Sequence, residues 1–236
     1  MLSILQSIES DELVSGALLL VDKPQGWTSF DAVNKIKNLV RRKYNLKKFK
    51  IGHSGTLDPM ATGLLVVCTG AWTKQLHHLQ GLDKKYSGEI TLGVEMDTYD
   101  AEGKVVFTKE VPSLTLEYLI TCFKTFIGDI QQLPPAFSAI KKEGKPLYEL
   151  ARAGKEVKLE PRNVTVHSIS IIEYNAPKIT LEVHSGSGFY VRSLAHDIGA
   201  MLDCGAHLSA LRRTAIGEYS LDDALSMNEI ITKLSN

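Results

Sequence analysis

The sequence predicts one mixed α/β domain in which short apolar strands alternate with amphipathic helices. Residues 16–21 and 64–68 are continuous apolar runs of the length expected for buried strands. Between them, Ser29 or Asp31 can cap a helix whose apolar residues recur at helical spacing. No internal repeat, low-complexity tract or linker divides the 236 residues, so a single domain over 1–236 is the simplest interpretation.

A second strand-rich region begins near residue 86. Residues 86–94 alternate as a strand does, with Ile90 and Leu92 on one face. An acidic turn at 95–103 and a returning strand at 104–108 predict that this segment forms a hairpin with a wide loop.

The rest of the chain continues the alternation of helices and strands. The helix at 114–126 is predicted to bury one stripe, made of Leu116, Leu119, Ile120 and Phe123. The other predicted elements are a helix at 71–80, a strand at 137–142, a helix at 146–153, paired strands at 164–174 and 179–184, a helix at 190–202, a strand at 210–219 and a helix at 221–234.

Composition points to an ordinary globular protein of a reducing compartment. Hydrophobic residues make up 44% and charged residues 23% of the chain, values typical of globular domains. The three cysteines are scattered and contain no C-x-x-C pair, which argues against a disulfide framework. The apolar runs are too short for a membrane helix, and the acidic N-terminus is unlike a secretory signal. The cytoplasm is the expected location, without membrane attachment.

Charge is balanced in total but not along the chain. The 27 basic and 27 acidic residues cancel, yet residues 35–50 contain eight basic residues and no acidic one. Such a cluster is either a solvated face or a local footprint for phosphate groups. Charge alone does not choose between the two.

One loop concentrates the candidate chemistry. Residues 52–65 read GHSGTLDPMATGLL, and Asp58 is the only acidic residue among them. Pro59 biases Asp58 toward an extended backbone, and a single acid on a stiff loop beside a buried strand suits a nucleophile. Asp-Pro and Thr-Gly are also ordinary turn dipeptides, so a capped turn is the alternative.

This loop resembles the signature loop of the tRNA pseudouridine synthase B family, written G-H-x-G-x-L-D-P-x-A-x-G-L-L. Four further segments match that family in the same order. They are LVDKPQG at 20–26, QLPPAFSAIK at 132–141, GFYVRSL at 188–194 and CGAHLSALRR at 204–213. Five motifs in register, over residues 16 to 220, make the resemblance specific.

The resemblance implies a fold and a reaction. The fold is α+β, with a long mixed, mostly antiparallel sheet and helices around it. The reaction converts the conserved T-loop uridine of tRNA to pseudouridine. Because this is an isomerisation, no cofactor is expected, and the seven histidines show no metal-binding spacing. The partner is the T-arm of tRNA, the protein is expected to be a monomer, and no protein partner is required.

The resemblance also implies roles for six residues. Asp58 is the catalytic carboxylate, and Arg192 is its cationic partner, which lowers the acid's pKa and orients it. The target base must leave its stack, and the other four residues serve it. His53 fills space near the displaced base, Tyr86 packs on the flipped ring, and Tyr190 and Leu211 line the base pocket. Core packing is the alternative for these four, and a solvated loop is the alternative for Lys23.

Two departures from the family pattern stand out. Ser187 replaces a lysine that often precedes the G-x-Y-x-R segment, which puts one phosphate contact in doubt. Family members often carry a C-terminal RNA-binding domain of the PUA type, whereas this sequence ends at Asn236, so it is either truncated or a short member.

Three other functions compete with the synthase. A non-catalytic protein that opens and refolds tRNA would not need both Asp58 and Arg192. A guide-dependent rRNA synthase of the same fold would rely on partner proteins and a further domain. A glycosidase usually needs two carboxylates that flank the bond, and the signature loop offers one.

Overall fold

The computed structural model describes residues 11–138, 141–142, 145–147 and 159–235. The chain divides into two compact units. Unit 1 comprises Met1–Lys84 and Arg212–Asn236, and unit 2 comprises Lys85–Leu211.

Unit 1 is built on a strand ladder in the order β14-β1-β3-β12. Strand β1 pairs antiparallel with β3, and β3 pairs in parallel with the C-terminal end of β12. The short β2 also pairs with β3, and β13 pairs with β12. The bounds are β1 Leu18–Lys23, β2 Ile51–His53, β3 Thr62–Thr69, β12 Ala206–Ile216, β13 Tyr219–Ser220 and β14 Leu225–Ser226.

Helices cover both faces of this ladder. Helix α2 (Ser29–Lys43) and helix α6 (Met227–Ser235) pack on one face, where Leu65 and Val67 of β3 point. Leu64 and Val66 point to the other face, where Leu79 of helix α3 (Leu76–Gly81) packs against them. Because β3 is buried on both faces, it reads as a continuous apolar run, as its sequence predicts. A short helix α1 (Glu12–Ser15) and 3₁₀ helices at Gly70–Gln75 and Leu221–Asp223 complete unit 1.

Helix α2 begins at Ser29, and its N-cap precedes both predicted caps. Thr28 is the N-cap: its side chain accepts a hydrogen bond from the Asp31 N–H, at 3.0 Å. The Thr28 N–H in turn donates to Asp31 Oδ2 at 2.9 Å, and the two bonds together form a capping box. The predicted caps at Ser29 and Asp31 are therefore wrong, because the residue before Ser29 satisfies the orphan N–H and Ser29 is used elsewhere.

Unit 2 carries a ladder in the order β12-β4-β11-β10-β7. Strand β10 pairs antiparallel with both β11 and β7, which confirms the predicted strand pair at 164–174 and 179–184. Helices α4 and α5 belong to this unit. The bounds are β4 Lys84–Leu92, β7 Gly128–Gln132, β10 Arg162–Asn175, β11 Lys178–Ser185, α4 Leu116–Lys124 and α5 Val191–Met201.

The predicted hairpin of residues 86–108 has different partners. Strand β4 ends before Gly93, whose φ of 87° turns the chain, and a new strand β5 (Val94–Met96) follows. It is β5 that pairs with β6 (Val105–Thr108), as a separate two-stranded sheet. Period-2 alternation alone did not reveal the break at the glycine.

The predicted stripe of helix α4 is also only partly right. Leu119 and Phe123 are buried, but Leu116 and Ile120 are 48% and 40% exposed. Cys122 is buried in their place. Periodicity identified which side of the helix is buried, but it did not show how many residues on that side are covered by other elements.

The remaining differences are small. The terminal helix begins at Met227, not at residue 221, and within residues 137–142 only Lys141–Lys142 form a described strand, β8, which pairs with β9 (Lys145–Pro146). Most of the predicted helix at 146–153 lies outside the described residues. Among the described helices, none has the length and hydrophobicity needed to cross a membrane. The predicted fold class, a mixed and mostly antiparallel α+β arrangement, is confirmed.

Candidate active site

The loop that carries Asp58 lies between β2 and β3 in unit 1. Asp58 is half-buried, whereas its neighbour Leu57 is 3% exposed. The Asp58 carbonyl accepts a hydrogen bond from the Ala61 N–H at 3.1 Å, and Pro59 O accepts one from the Gly26 N–H at 2.8 Å. The loop is thus a tight turn that is tied to the segment after β1.

Ser29, in the first turn of α2, anchors the residue that precedes Asp58. The Leu57 N–H donates to Ser29 Oγ at 2.8 Å, and Ser29 Oγ donates to Leu57 O at 3.1 Å. Ser29 is 1% exposed, so water does not compete for these bonds. Helix α2 therefore fixes the backbone immediately before the candidate catalytic carboxylate.

Lys23 braces the other side of the loop. Its side chain is completely buried, so the solvated-loop alternative is wrong. Lys23 Nζ donates to Trp27 O at 2.6 Å, to Pro24 O at 3.0 Å and to Pro59 O at 3.5 Å. A buried ammonium needs such partners, and here one of them is the carbonyl that follows Asp58.

Arg213 is the third brace, and sequence reasoning gave it no role. It is 2% exposed, and its Nε and Nη2 donate to Leu64 O at 2.8 Å and to Gly55 O at 3.1 Å. These carbonyls lie on the two arms of the Asp58 loop. Gly63 sits against the Arg213 backbone at a φ of 100°, where a methyl group would clash with the Arg213 carbonyl.

Arg212 makes a further ion pair at the edge of the same loop. Its Nη2 lies 2.8 Å from Asp22 Oδ2, and its Nη1 lies 3.2 Å from Asp22 Oδ1. Nη1 also donates to Thr62 Oγ1 at 3.2 Å. The LRR run at 211–213 was the available signal, because adjacent arginines on a buried strand must each find acceptors.

His53 is the last residue of β2 and is half-buried. Burial lowers the pKa of His53, and the Arg213 guanidinium lowers this pKa further. His53 is therefore neutral at pH 7 and is poorly placed to act as a charged acid. This agrees with the space-filling role that the resemblance implies, which stays a prediction.

Lys84, at the start of β4, is a second buried lysine of unit 1. It is 7% exposed, and Nζ donates to the carbonyls of Gln80 and Leu82. Burial lowers the pKa of Lys84 to about 8, with a further contribution from Arg213. No sequence pattern predicts this burial, because a lysine between Asp83 and Lys85 resembles part of a solvated charged run.

In unit 2, Arg192 is the second residue of α5 and is 5% exposed. Nη1 lies 3.3 Å from Asp100 Oδ2 and donates to Thr98 O at 3.2 Å. Nη2 donates to Phe137 O at 2.9 Å. The alternative of a plain surface arginine is wrong, since the guanidinium is buried and held in a fixed orientation.

Asp100 is a residue that the sequence analysis counted only as part of an acidic turn. It is 3% exposed, and its Oδ1 accepts bonds from Thr98 Oγ1 at 2.6 Å and from the Glu102 N–H at 3.0 Å. Tyr99 has a left-handed φ of 63°, and its ring stacks on His196 of α5 with centroids 4.0 Å apart. The turn is therefore an ordered support for the helix that carries Arg192.

Tyr190 is the N-cap of α5 and is clamped by Gln132 of β7. The Tyr190 N–H donates to Gln132 Oε1 at 2.8 Å, and Gln132 Nε2 donates to Tyr190 O at 3.0 Å. The clamp fixes the backbone of Tyr190, whose side chain is half-buried. Gln132 is the first residue of the 132–141 motif, and that motif was the sequence feature that pointed to this residue.

Tyr86 and Leu211 are half-buried residues of unit 2. Tyr86 shares a face of β4 with Gly88, and a methyl group at Gly88 would lie 3.5 Å from Leu211 Cδ1. Leu211 therefore packs beside the strand that carries Tyr86. Neither side chain is fully buried, so both offer part of their surface to a ligand.

The predicted site residues are divided between the units. Asp58 and His53 lie in unit 1, and Tyr86, Tyr190, Arg192 and Leu211 lie in unit 2. The pairing of Asp58 with Arg192 stays a prediction. Unit 1 offers a carboxylate on a braced loop, a setting that suits a nucleophile. Unit 2 offers a fixed guanidinium and partly exposed aromatic and apolar side chains, a setting that suits stacking on a base.

The comparisons with known proteins agree with this chemistry. Residues 41–191 match the N-terminal domain of the TruB family of pseudouridylate synthases, and residues 192–235 match the C-terminal domain of tRNA pseudouridylate synthase B. The tRNA pseudouridine synthase B of Flavobacterium johnsoniae is 45% identical over 218 residues, which cover 92% of this chain and 95% of that protein.

Two further matches widen the comparison. The tRNA pseudouridine synthase B of Haemophilus influenzae is 46% identical over 217 residues, 92% of this chain and 67% of that protein. A solved H/ACA ribonucleoprotein bound to a substrate RNA containing 2′-deoxyuridine matches at 25% identity with a TM-score of 0.66. This match covers 94% of the present chain but 54% of the solved one. The sequence matches extend over most of the molecule, and the chain therefore belongs to the TruB family of pseudouridylate synthases.

Proposed function

We propose that this protein isomerises uridine to pseudouridine in tRNA, and that its target is the conserved uridine of the T-loop. The observation that carries the proposal is the signature loop: Asp58 is its single carboxylate, in a relative of synthases that act on tRNA. Contacts from Ser29, Lys23 and Arg213 fix the backbone around Asp58. Such pre-positioning is what a nucleophile needs, because small displacements cost large factors in rate.

The reaction breaks the bond between C1′ and N1 of uracil and forms a bond between C1′ and C5. The C5 proton leaves and N1 gains one, so the product is an isomer of the substrate and no electrons are exchanged. Asp58 acts in its ionised form, and Arg192 is its proposed cationic partner. Attack at the sugar carbon, abstraction of a sugar proton and addition to the ring are all compatible with a single carboxylate.

The target base must leave its stack before it can be reached. Tyr86 is the proposed stacking surface for the extruded ring, and Tyr190 and Leu211 are the proposed pocket walls. The half-buried state of these three side chains supports those roles, because a core residue would be fully buried. Neutral His53 fills the space that the base leaves.

We further propose that the chain works as one catalytic domain, as a monomer in the cytoplasm, without a protein partner or cofactor. All three cysteines are buried thiols, which suits a reducing compartment. The guide-dependent alternative has one supporting observation, the structural likeness to an H/ACA ribonucleoprotein. That likeness comes with 25% identity, against 45% for the tRNA enzyme, so direct action on tRNA is favoured.

The test is incubation of the purified protein with unmodified tRNA transcript, followed by mapping of pseudouridine along the sequence. We expect one modified position, the T-loop uridine, without any guide RNA or second protein. A transcript with cytidine at that position is the matched control and should remain unmodified. Modification elsewhere, or only after a guide RNA is added, would contradict the proposal.

A further inference from the structure

Seven basic residues follow one another closely along helix α2 and the loop after it in unit 1, and we call them the basic surface. It consists of Lys35, Lys37, Arg41, Arg42, Lys47, Lys48 and Lys50. All except Lys37, which is half-buried, are exposed. No acidic residue occurs between Asp31 and Asp58, so nothing in this stretch of sequence offsets the positive charge.

Helix α2 displays four of these residues on one side. Its buried residues Ala32, Val33, Ile36 and Val40 lie on the side that faces the core of unit 1. At about 100° per residue, Lys35, Arg41 and Arg42 fall on the opposite arc of the helix, and half-buried Lys37 lies at its edge. The side of the helix that faces solvent thus carries these basic residues, with the uncharged Asn34 and Asn38 among them.

The loop after α2 presents the other three. Leu46 packs against the core of unit 1 and Phe49 is 8% exposed, so the loop is held down by its apolar residues. The Leu46 N–H donates to Arg41 O at 2.9 Å, and Lys50 O accepts from the Gly70 N–H at 2.9 Å. Lys47, Lys48 and Lys50 therefore project from a backbone that is fixed on both sides.

Two cations of this stretch also make contacts within unit 1: Arg41 Nε donates to the nearby Leu46 O at 3.3 Å, and Lys43 reaches another helix. Lys43 Nζ donates to Lys233 O at 3.0 Å, at the end of α6. Lys43 thus stabilises the contact between two helices of unit 1, and we do not count it in the basic surface. Within this short segment, Lys43 is therefore a structural cation, whereas the residues of the basic surface are available to a ligand.

Basic and acidic residues are separated along this chain more strongly than a solvated face requires. Eight of the 27 basic residues, and none of the 27 acidic ones, lie in residues 32–57, so the rest of the chain is net acidic. Near the basic residues, Tyr44 is half-buried and Phe49 is buried, and the exposed ring of this region is Phe30, in the first turn of α2. Many charges beside one exposed ring suit a nucleic-acid backbone rather than a run of unpaired bases or a lipid interior.

The position of the surface along α2 relates it to the proposed site. The first residue of α2, Ser29, bonds to Leu57 beside Asp58, and Arg42 lies thirteen residues further on. At 1.5 Å per residue, this end of the helix is about 20 Å from the Asp58 loop. A charge placed so far from the reacting base reaches phosphates several nucleotides away.

We propose that the basic surface binds the phosphate backbone of the RNA duplex next to the loop that carries the target uridine. The inference rests on the proposed function for the identity of the RNA. It adds that a specified surface of unit 1 supplies affinity without sequence information. The partner is thus a double-stranded RNA stem, recognised by charge.

The test compares two triple variants in tRNA binding at salt concentrations from 0.05 to 0.5 M. Lys35→Gln, Arg42→Gln and Lys48→Gln remove three charges from the basic surface. Lys74→Gln, Lys104→Gln and Lys124→Gln remove three exposed charges elsewhere and form the matched control. Each phosphate contact contributes about 0.7–0.9 to the slope of log affinity against log salt, so the first variant should flatten that slope by about 2–3.

At 0.15 M salt we expect the surface variant to bind tRNA about 10- to 100-fold more weakly, and the control variant to bind like the wild type. A short RNA duplex without any loop should compete with tRNA for the wild type but poorly for the surface variant. Unchanged thermal midpoints in both variants establish that folding is intact, because all six side chains are exposed.

Equal salt slopes in the two triple variants would overturn the inference. So would loss of binding to phosphatidylserine vesicles with tRNA binding unaltered, because the partner would then be a membrane. If the wild-type protein binds tRNA through this surface but forms no pseudouridine, the proposed function fails while the inference stands. If the wild type modifies tRNA and the slopes are equal, the inference alone fails.

Discussion

Arg213 in unit 1 and Arg192 in unit 2 are both buried, yet they organise their surroundings differently. Arg213 donates to carbonyls on the two arms of the Asp58 loop. Arg192 also donates to carbonyls, but it faces the buried carboxylate of Asp100 as well. The first guanidinium fixes the path of a backbone, and the second has its own position fixed by a counter-ion.

This difference distinguishes an arginine that supports the structure, Arg213, from one that is proposed to take part in the reaction, Arg192. A guanidinium bound to loop carbonyls stabilises a conformation, so its loss should lower stability before it lowers the rate at saturation. A guanidinium anchored by a carboxylate and presented by a helix can act on a reacting group without losing its orientation. The experiments below test this contrast, and the first uses the variant that should lower the rate most.

Arg192→Met should lower kcat by about 100- to 1000-fold, because the proposed cationic partner of Asp58 would be lost. Arg192→Lys should rescue little, since an ammonium cannot reproduce the planar fork that contacts Thr98 O and Phe137 O. Single-turnover kinetics with tRNA give the rates, and Arg162→Met, at an exposed arginine, is the control. A kcat within threefold of the wild type for Arg192→Met would remove Arg192 from the catalytic group.

Tyr86 and His53 allow a second comparison between the units. Stacking on a base is worth about 1–3 kcal/mol, so Tyr86→Leu should slow turnover by about 10- to 100-fold. Tyr86→Phe keeps the ring and should stay close to the wild type. His53→Ala should cost less than tenfold, because a neutral space-filling side chain transfers no proton. If His53→Ala abolishes turnover, the role given to His53 is wrong.

Arg213→Met should destabilise the protein by about 2–5 kcal/mol, because the buried carbonyl of Leu64 and the partly buried carbonyl of Gly55 each lose a donor. Urea unfolding measures this free energy, and Arg212→Met, at a half-exposed ion pair, should cost about 1 kcal/mol or less. Equal losses of stability for the two variants would contradict the bracing role of Arg213.

The pKa of Lys84 gives a pH-dependent prediction. Burial lowers this pKa from 10.5 to about 8, so between these pH values the unfolded chain holds a proton that the folded chain has released. The free energy of unfolding that Lys84 contributes therefore rises from pH 8 to 10.5, by about 2–3 kcal/mol, and is lowest below pH 8.

The measurement is the difference in unfolding free energy between the wild type and Lys84→Met at pH 7.5, 9 and 10. Lys85→Met, at the exposed neighbouring lysine, should show a flat difference over the same range. A flat or falling difference for Lys84→Met would mean that Lys84 is not buried as a charged group near neutral pH.

Sequence patterns recovered the parts of the molecule that depend on local chemistry. The apolar run at 64–68 predicted a buried strand directly after the Asp58 loop, and β3 is buried on both faces. The strand before the loop, β2, was not predicted. Periodicity placed α5 to within one residue at either end and identified α2, whose bounds it did not predict. These features depend on residues close in sequence, whose preferences can be read directly.

The long-range partners could not be read in this way. Asp100 lies 92 positions before Arg192 in the sequence, and Arg213 lies 158 positions after the Gly55 carbonyl that it holds. No local pattern reveals that a strand arginine or a turn aspartate will be buried. The error at α4, where Leu116 and Ile120 are exposed and not buried, has the same origin. Which helix residues become buried is decided by elements that are distant in the sequence.

The most direct test of the central claim is Asp58→Asn. The substitution keeps the shape of the side chain and removes its charge, and Asp58 is the only acid in the signature loop. We expect pseudouridine formation in tRNA transcript to fall to background over many hours, while tRNA binding stays within threefold of the wild type. Turnover above background in a preparation free of wild-type protein would contradict the assignment of Asp58 as the catalytic carboxylate.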